Sequence, residues 1–256
     1  MVTGPTTTGP TATGPATGRI GRARELWRLF RAEGTDPAAF YGRLAADAVG
    51  GFERRYGSLA GRWVGDVGSG PGYYTEAFRA AGAAVLPLDG DFGELHLAGD
   101  APDGAVVGDA ERLPVRTGSL DGVFCSNMLE HTPRPERVIG EFARVLRPGG
   151  WGYVSFTNWY SPWGGHEMSP YHLLGPRRGV GLYERRHGVD HKHRVGENLF
   201  PTHIGGVLQT FAARADLTVV RVEPRYYPWA WPVAKVPGLR EVVSWNCVIR
   251  FEKRAS

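Results

Sequence analysis

Three glycines at alternating positions, Gly68, Gly70 and Gly72, follow a short apolar run and precede a segment of helical character. Glycine tolerates the sharp turn that such a loop makes, and it lets a ligand approach the backbone closely. The N-terminus of the following helix offers unpaired N–H groups and the positive end of the helix dipole. The pattern predicts a ligand site at the carboxyl end of the first strand of a parallel sheet.

Two carboxylates indicate which ligand this loop accepts. Asp66 lies two residues before the first glycine, where its charge would repel a pyrophosphate but suits a ligand with an ammonium and a sulfonium group. Asp89 ends the next strand, where a carboxylate can accept hydrogen bonds from ribose hydroxyls, and Asp91 is the alternative for that role. The glycine spacing is GxGxG rather than GxGxxG, which argues against a nicotinamide-dependent oxidoreductase.

Strand-like and helical runs alternate along the chain, which is typical of a parallel sheet covered by helices. The predicted strands are 63–67, 84–88, 105–107, 122–126, 152–157, 217–222 and 242–251. The predicted helices of this region are 73–81, 92–98 and 135–146, followed by one that Thr202 caps and that runs to about residue 213.

The chain divides into three parts by composition. Residues 1–18 repeat Thr-Gly-Pro and are predicted to form a disordered tail, because they have almost nothing apolar to bury. Residues 19–58 hold two amphipathic helices, the second with Asp36 as N-cap and a proline in its first position. The main domain is expected to cover 59–256, with a Gly-, Pro-, His- and Trp-rich insertion at about 158–201.

Four motifs stand in the order and at the intervals of one enzyme family: DVGSGPG at 66–72, GDAERLP at 108–114, SNMLEH at 126–131 and LRPGG at 146–150. They resemble the motifs of class I S-adenosylmethionine-dependent methyltransferases, and within these the methyltransferase type 11 group that includes the quinone-biosynthesis C-methyltransferases. The resemblance covers residues 60–157. It implies an α/β fold with a Rossmann-like, seven-stranded, mostly parallel sheet, helices on both faces, an N-terminal helical addition and an inserted lid after the fifth strand.

The resemblance also assigns residues to the implied cofactor, S-adenosylmethionine. Asp89 would take the ribose hydroxyls, Asp109 would accept from the adenine amino group, and Ala110 would supply a backbone N–H. Asp66 belongs to the same cofactor-binding set, with the alternative that it is a structural partner for the N–H groups of the loop. From the residues alone, Asp89 could instead cap the next helix, and Asp109 could be a plain turn residue.

Further contacts are implied at the methionine end of the cofactor. Gly68 and Gly70 would pass close to the methionine part, and Asn127 would lie beside the cofactor at the end of the fourth strand. Tyr41 is expected to cover the methionine carboxylate, because a helix with a similar FYxxLA run packs there in the family. The alternatives are a helix cap for Asn127 and a core position for Tyr41.

Methyl transfer from a sulfonium depends mainly on alignment, so no catalytic triad is required. A general base matters only where the acceptor must lose a proton. His131 follows the fourth strand and is the base candidate by position; the alternative is that it packs beneath the cofactor loop. His166 and Glu167 form a second catalytic candidate in a glycine-flanked loop, against the alternative of a solvated pair.

Six of the eight histidines fall between residues 166 and 203. No metal site is expected from them, because no cysteine lies nearby and the spacings do not form a closed zinc set. Lys192, between His191 and His193, would also repel a cation.

The same half of the chain is rich in basic and aromatic residues. The basic cluster is usually a solvated face; the alternatives are a site for an acceptor phosphate or carboxylate and peripheral contact with an anionic membrane. The aromatic residues favour an amphipathic acceptor such as a lipid, a polyketide or an isoprenoid-like molecule, or else a lipid-facing or dimer surface. The cluster comprises Arg177, Arg178, Arg185, Arg186, Lys192 and Arg194, and the aromatic residues include Trp159, Tyr160, Trp163, Tyr171, Tyr226, Tyr227, Trp229 and Trp231.

Other features narrow the function classes. The net charge of +4 is mild, and Asn127-Met128-Leu129-Glu130 replaces the Asn/Asp-Pro-Pro-Tyr/Phe tetrapeptide of nucleic-acid methyltransferases, so a small-molecule acceptor and no nucleic acid are expected. No apolar run approaches the ~20 residues of a membrane span, and no signal peptide is recognisable, which favours a cytoplasmic location. A catalytically idle cofactor-binding module or partner subunit remains the alternative function, and the oligomeric state is open.

Overall fold

The structure is a computed structural model that describes residues 18–189 and 191–255. The predicted Thr/Gly/Pro tail lies outside the described residues except for Gly18. The helices are α1 (Arg19–Arg31), α2 (Pro37–Tyr56), α3 (Tyr73–Ala80), α4 (Phe92–Leu95), α5 (Pro135–Val145), α6 (Pro176–His187), α7 (Ile204–Ala212) and α8 (Leu239–Val243). The strands are β1 (Trp63–Val67), β2 (Ala84–Asp89), β3 (Val106–Val107), β4 (Leu120–Ser126), β5 (Leu146–Thr157), β6 (Leu217–Pro224) and β7 (Asn246–Lys253).

Seven strands form one mixed sheet in the order β3-β2-β1-β4-β5-β7-β6. The first five strands run parallel, and β7 lies antiparallel between β5 and β6. This arrangement confirms the predicted fold class. The chain leaves β1 toward β2 on one side and later returns to β4 on the other, so a crevice opens at the carboxyl end of β1. The glycine loop begins at that crevice.

The sheet is held by apolar side chains that its strands share with α5 and α7. Val123 of β4, Phe142 of α5 and Ile249 of β7 are fully buried members of one continuous cluster. A second, aromatic layer includes Phe52 of α2, whose ring lies 4.2 Å from that of Trp151. Because the parallel strands are apolar on both faces, burial fixes their register and therefore the positions of the loops at their carboxyl ends.

The pattern of contacts within the chain divides it into two units. The first ends at Phe40, and the second begins at Tyr41. The described part of the first unit contains α1 and the start of α2. In it, the Asp36 carboxylate accepts a hydrogen bond from the Ala39 N–H at 3.0 Å, and α2 begins at Pro37, as predicted. No helix among the described residues is long and apolar enough to cross a membrane.

The prediction that Thr202 caps the next helix is wrong. α7 begins at Ile204, and the Thr202 hydroxyl instead donates to the Phe200 carbonyl at 3.0 Å. The first turn of α7 is capped from a distance: the Glu241 carboxylate accepts from the Ile204 N–H at 2.9 Å and from the Gly205 N–H at 2.7 Å. A carboxylate at this position also interacts favourably with the helix dipole.

Other predicted boundaries also differ from the structure: β5 begins at Leu146 rather than at residue 152, and α4 ends at Leu95 rather than at residue 98. The predicted strand 242–251 begins only at Asn246, because Leu239–Val243 form a short helix, α8, that brings Glu241 to the start of α7. The insertion at 158–201 contains α6, which was not predicted, since four of its twelve residues are arginines and two are glycines. The helices α8 and α6 both lie where tertiary packing, rather than the local sequence pattern, determines the backbone conformation.

Replacing Glu241 by alanine is expected to lower the free energy of unfolding by about 1–2 kcal/mol, because two N–H groups at the start of α7 lose their acceptor. Urea unfolding of Glu241→Ala, with an unchanged dependence on urea concentration, measures the effect. The control is Glu53→Ala on the exposed side of α2, which should stay within about 0.5 kcal/mol of the wild type. Equal stability of the two variants would contradict the capping role.

Candidate functional site

The glycine loop is fastened to the end of β2 by its own N–H groups. The Gly68 and Ser69 N–H groups donate to the Leu88 carbonyl at 2.7 and 3.0 Å, and the Gly70 N–H donates to Asp89 Oδ2 at 2.9 Å. These bonds occupy donors that would otherwise be unpaired between β1 and α3. The loop therefore has one conformation, fixed relative to the carboxylate that ends β2.

Two glycines of the loop have different tasks. At Gly68, where φ is +74°, a Cβ would lie 2.7 Å from the Met128 side chain, so packing excludes any larger residue. At Gly70, where φ is +48°, no heavy atom lies within 4 Å of a Cβ position. The open space at Gly70 leaves the backbone accessible to a ligand, as expected for the methionine part of S-adenosylmethionine.

A cavity of about 630 Å³ lies at this edge of the sheet. Its volume is in the range of small-molecule and cofactor sites. His131 and the insertion residues His193 and Asn198 also line it, so the insertion contributes a wall of the site. Six of the eight residues assigned from the sequence to the cofactor line the cavity: Gly68, Gly70, Asp89, Asp109, Ala110 and Asn127.

The acids on the cavity wall are positioned by backbone N–H groups. Asp89 accepts from Gly70 through Oδ2 and from the Asp91 N–H through Oδ1 at 2.9 Å. Asp109 Oδ1 accepts from the Glu111 N–H at 2.8 Å in a turn that follows β3. Each carboxylate oxygen has a second lone pair, so both acids can accept hydrogen bonds from a ligand without releasing the loop.

Asp66 lies beneath the loop rather than on the cavity wall. Its side chain is 1% exposed, and its Oδ2 accepts a hydrogen bond of 2.7 Å from the Thr75 hydroxyl of α3. Burial raises the pKa of Asp66 to about 7, against the opposing effect of the Thr75 hydroxyl. In this position Asp66 links β1 to α3 across the glycine loop.

Tyr41 also lies away from the cavity lining. Its ring stacks on that of Tyr73 at the start of α3, with centroids 5.5 Å apart and planes within 5°. Tyr41 therefore contacts the helix whose N-terminus follows the glycine loop. Its predicted contact with the methionine carboxylate remains a prediction.

Asn127 is held in a left-handed conformation, with φ of +53°. Its side-chain oxygen accepts from Arg225 at 3.0 Å and from the Asn246 amide at 2.8 Å. Arg225 is 6% exposed and also donates to the Ser155 hydroxyl at 3.1 Å and to the Tyr74 hydroxyl. This buried guanidinium was not identified from the sequence, where the only signal is a lone arginine directly after a strand.

The structure brings the predicted catalytic histidines together and adds a third. The rings of His131 and His166 lie 5.2 Å apart, and that of His193 lies 5.3 Å from the first and 4.3 Å from the second. Burial, with the nearby His193 and His131, lowers the pKa of His166 to about 3. We call these three residues the histidine cluster; its formation was not predicted, because they are distant in sequence.

The remaining polar residues of the insertion hold it over the cavity. Glu167 contacts His193 Nδ1 at 2.8 and 2.9 Å rather than forming a solvated pair with His166. Lys192 donates to the Glu94 carboxylate of α4 at 2.7 Å, and both residues line the cavity. The predicted basic cluster is therefore divided, since Lys192 faces the site while the arginines of α6 do not line it.

The aromatic residues expected around the acceptor do not line this cavity. Trp159 is buried in a separate small cluster with Met168 and Leu199. Tyr160 and Trp229 are exposed, and Trp163 packs against Trp245 with ring centroids 5.1 Å apart. The walls of the cavity are instead formed by the loops that follow the parallel strands and by the histidine-containing insertion.

Comparison with known proteins identifies the class of this chain. The methyltransferase type 11 family model, described as a methyltransferase domain, matches residues 65–154. An uncharacterized methyltransferase of Mycobacterium marinum is 40% identical over 245 residues, covering 92% of this chain and 95% of the relative. The chain belongs to the class I S-adenosylmethionine-dependent methyltransferases.

Another relative agrees with this assignment, and a solved structure agrees with the fold. An uncharacterized methyltransferase of Mycobacterium avium is 40% identical over 241 residues, covering 90% of this chain and 94% of the relative. A crystal structure from Archaeoglobus fulgidus, described as a SAM-dependent methyltransferase, has a TM-score of 0.50 at 15% identity and covers 81% of this chain and 94% of its own. The structural match shows a shared fold.

Asp66 should make stability depend on pH in a defined direction. Its pKa is raised from an ordinary 3.8 to about 7, so the folded protein binds a proton that the unfolded chain releases. The free energy of unfolding therefore falls as the pH rises from 4 to 7. Asp66→Asn removes the titrating group. The free energy of unfolding of the variant, relative to that of the wild type, should therefore rise with pH by at most about 1.4 kcal/mol per pH unit. Urea unfolding of both proteins at pH 4, 5.5 and 7 measures it, and parallel curves would contradict the burial of an ionisable group.

Proposed function

We propose that this methyltransferase transfers the methyl group of S-adenosylmethionine to a small, amphipathic acceptor whose reactive atom lies at the histidine cluster. The observation that carries the proposal is the shared cavity. Its wall includes Gly70 and Asp89 on the side of the glycine loop and His131 and His193 on the side of the insertion. The proposed donor site and the histidines that could interact with an acceptor proton therefore line the same cavity.

The residues present fit the donor. The space at Gly70 admits a ligand next to the backbone, and two positioned acids, Asp89 and Asp109, supply acceptors for the hydroxyls of a ribose and the amino group of a purine. The Ala110 N–H and the Asn127 side chain would complete the contacts. Among the described lining residues, Lys192 is the one side chain with a permanent positive charge that would oppose the sulfonium, and Glu94 neutralises it.

The bound donor supplies a methyl group on a sulfonium, which is an electrophile with a good leaving group. The chain mainly holds the donor and the acceptor in line, a contribution that can reach ~7–11 kcal/mol. Where the acceptor must lose a proton, a nearby group that takes or weakens it adds about 10²–10⁴-fold to the rate. His131 is the first candidate, and Glu167 would position His193 beside it.

The amphipathic character of the acceptor is inferred from the insertion. The segment that carries His166 and His193 also exposes apolar side chains, among them Leu173, Leu174 and Trp163. Exposed apolar side chains on this segment are suited to contact with the apolar part of a ligand. A catalytically idle module is disfavoured because the cavity beside the glycine loop is open rather than filled by side chains.

The cofactor contacts can be tested through the demethylated product, S-adenosylhomocysteine. Asp89→Asn should weaken its binding about 10–150-fold, since one charged acceptor for the ribose hydroxyls is lost. Isothermal titration of the wild type, Asp89→Asn and the exposed control Asp103→Asn gives the comparison. Tight binding by the first two proteins would contradict the role of Asp89, and no binding by the wild type would favour the idle module.

The acceptor class can be tested with a donor that carries a tritiated methyl group. Incubation with a bacterial lipid extract, and separately with RNA, should give label in the organic phase of the first sample only. His131→Gln should lower kcat about 10²–10⁴-fold with little change in the KM for the donor, whereas His96→Gln beside exposed α4 should not change either. Label in RNA, or equal rates for both variants, would contradict the proposal.

A further inference from the structure

The histidine cluster has the geometry of a metal site, although the sequence predicted none. His131 lies in a 3₁₀ turn after β4, His166 in a 3₁₀ turn of the insertion, and His193 in a later loop of the insertion. Each offers one ring nitrogen, and these nitrogens lie within 4.8 Å of one another. Ligands of a tetrahedral zinc ion are about 3.4 Å apart, so small side-chain movements would close the site.

Two of the three rings are oriented by hydrogen bonds that leave Nε2 free. His131 Nδ1 lies 2.7 Å from the Asn198 carbonyl oxygen, which only accepts, so Nδ1 carries the proton and Nε2 presents a lone pair. His193 Nδ1 likewise donates to the Glu167 carboxylate at 2.8 Å. A carbonyl or carboxylate on the far nitrogen is the usual environment of a histidine that binds a metal.

The third ring, that of His166, has a buried nitrogen without a partner. Among the described residues, nothing in the protein accepts from or donates to His166 Nε2, although the atom is excluded from solvent. An unpaired buried polar atom costs free energy, and the backbone of His166 is also in the left-handed region, with φ of +51°. A ligand shared with His131 and His193 would satisfy this nitrogen and account for the conformation.

The charges around the cluster agree with a bound cation. Lys192, which the sequence suggested would repel a metal, directs its ammonium to the Glu94 carboxylate at 2.7 Å. Glu167 contributes a negative charge next to His193. The local charge therefore does not exclude a divalent ion from the space between the rings.

We propose that His131, His166 and His193 bind one divalent transition-metal ion of the class that imidazoles prefer, represented by Zn²⁺. Mg²⁺ and Ca²⁺ prefer oxygen ligands and are disfavoured by three nitrogens. Three protein ligands leave a fourth position of a tetrahedral ion open, which is the arrangement of catalytic rather than structural zinc sites. His131 and His193 both line the donor cavity, so the ion would adjoin it.

The open position would take an acceptor oxygen. With its Nε2 on the ion, His131 would not itself be the base, and the ion would weaken the acceptor O–H in its place. This role rests on the proposed function, whereas metal binding itself does not. A metal-bound hydroxyl has a lowered pKa, so its proton is released to solvent. The oxygen then forms a bond to the methyl carbon, the carbon–sulfur bond breaks, and its electron pair remains on the sulfur as a neutral thioether. The acceptor would therefore be an alcohol, a phenol or an enol.

The binding of Zn²⁺ can be measured directly on the full chain without a histidine tag. After treatment with a chelator and dialysis, the wild type should bind one equivalent of Zn²⁺, and X-ray absorption should show three imidazole ligands at about 2.0–2.1 Å. His166→Ala should reduce the affinity about a hundredfold or more, and Glu167→Gln about 10–100-fold by releasing His193. The exposed His96→Ala is the matched control and should bind like the wild type.

Titration with S-adenosylhomocysteine separates the two proposals and confirms that each variant is folded. If the metal-free wild type and His166→Ala both bind this product but neither takes up Zn²⁺, the metal site is overturned and the donor site stands. If Zn²⁺ binds and the product does not, the proposed function fails instead. Loss of Zn²⁺ from the control as well as from His166→Ala would place the ion elsewhere and overturn the assignment.

Discussion

The hydrogen bond from the Gly70 N–H to the Asp89 carboxylate joins the glycine loop to β2, and the shape of the site depends on it. The Leu88 carbonyl, one residue earlier, accepts from Gly68 and Ser69. The ends of two parallel strands thereby fix one loop in a crevice that the strand order opens between β1 and β4. The Asp89 carboxylate therefore both shapes the loop and faces the cavity.

The sheet and the insertion contribute opposite sides of the site. Loops that follow β1 to β4 form the side of the cavity that we propose for the donor, and burial of the strands fixes these loops. The insertion is attached to that frame by the Phe200 N–H, which donates to the Glu130 carbonyl at 2.8 Å, and by the Lys192–Glu94 pair. These contacts bring His166 and His193 to His131, so the histidine cluster exists only in the folded chain.

The sequence predicted features that depend on neighbouring residues and missed features that depend on residues distant in the chain. The β1 strand, the glycine loop and Asp89 were predicted because period, glycine spacing and strand ends are local patterns. The histidine cluster was not, since its members come from separate segments that only tertiary packing unites. The cap of α7 was assigned to Thr202 because a hydroxyl close in sequence is the usual helix cap. In the structure the cap is Glu241 of α8, which is distant in sequence. Asp66 was placed in the cofactor set by its position in the motif, and its burial against Thr75 could not be read from it.

A crystal structure of the protein with S-adenosylhomocysteine tests the central claim most directly, because it shows which end of the cavity receives the sulfur. We expect the ribose at Asp89, the adenine at Asp109 and Ala110, and the sulfur on the side of the cavity that faces Asn127 and His131. An adenine next to His131, or a ligand bound outside this cavity, would contradict the assignment of the histidine cluster to the acceptor.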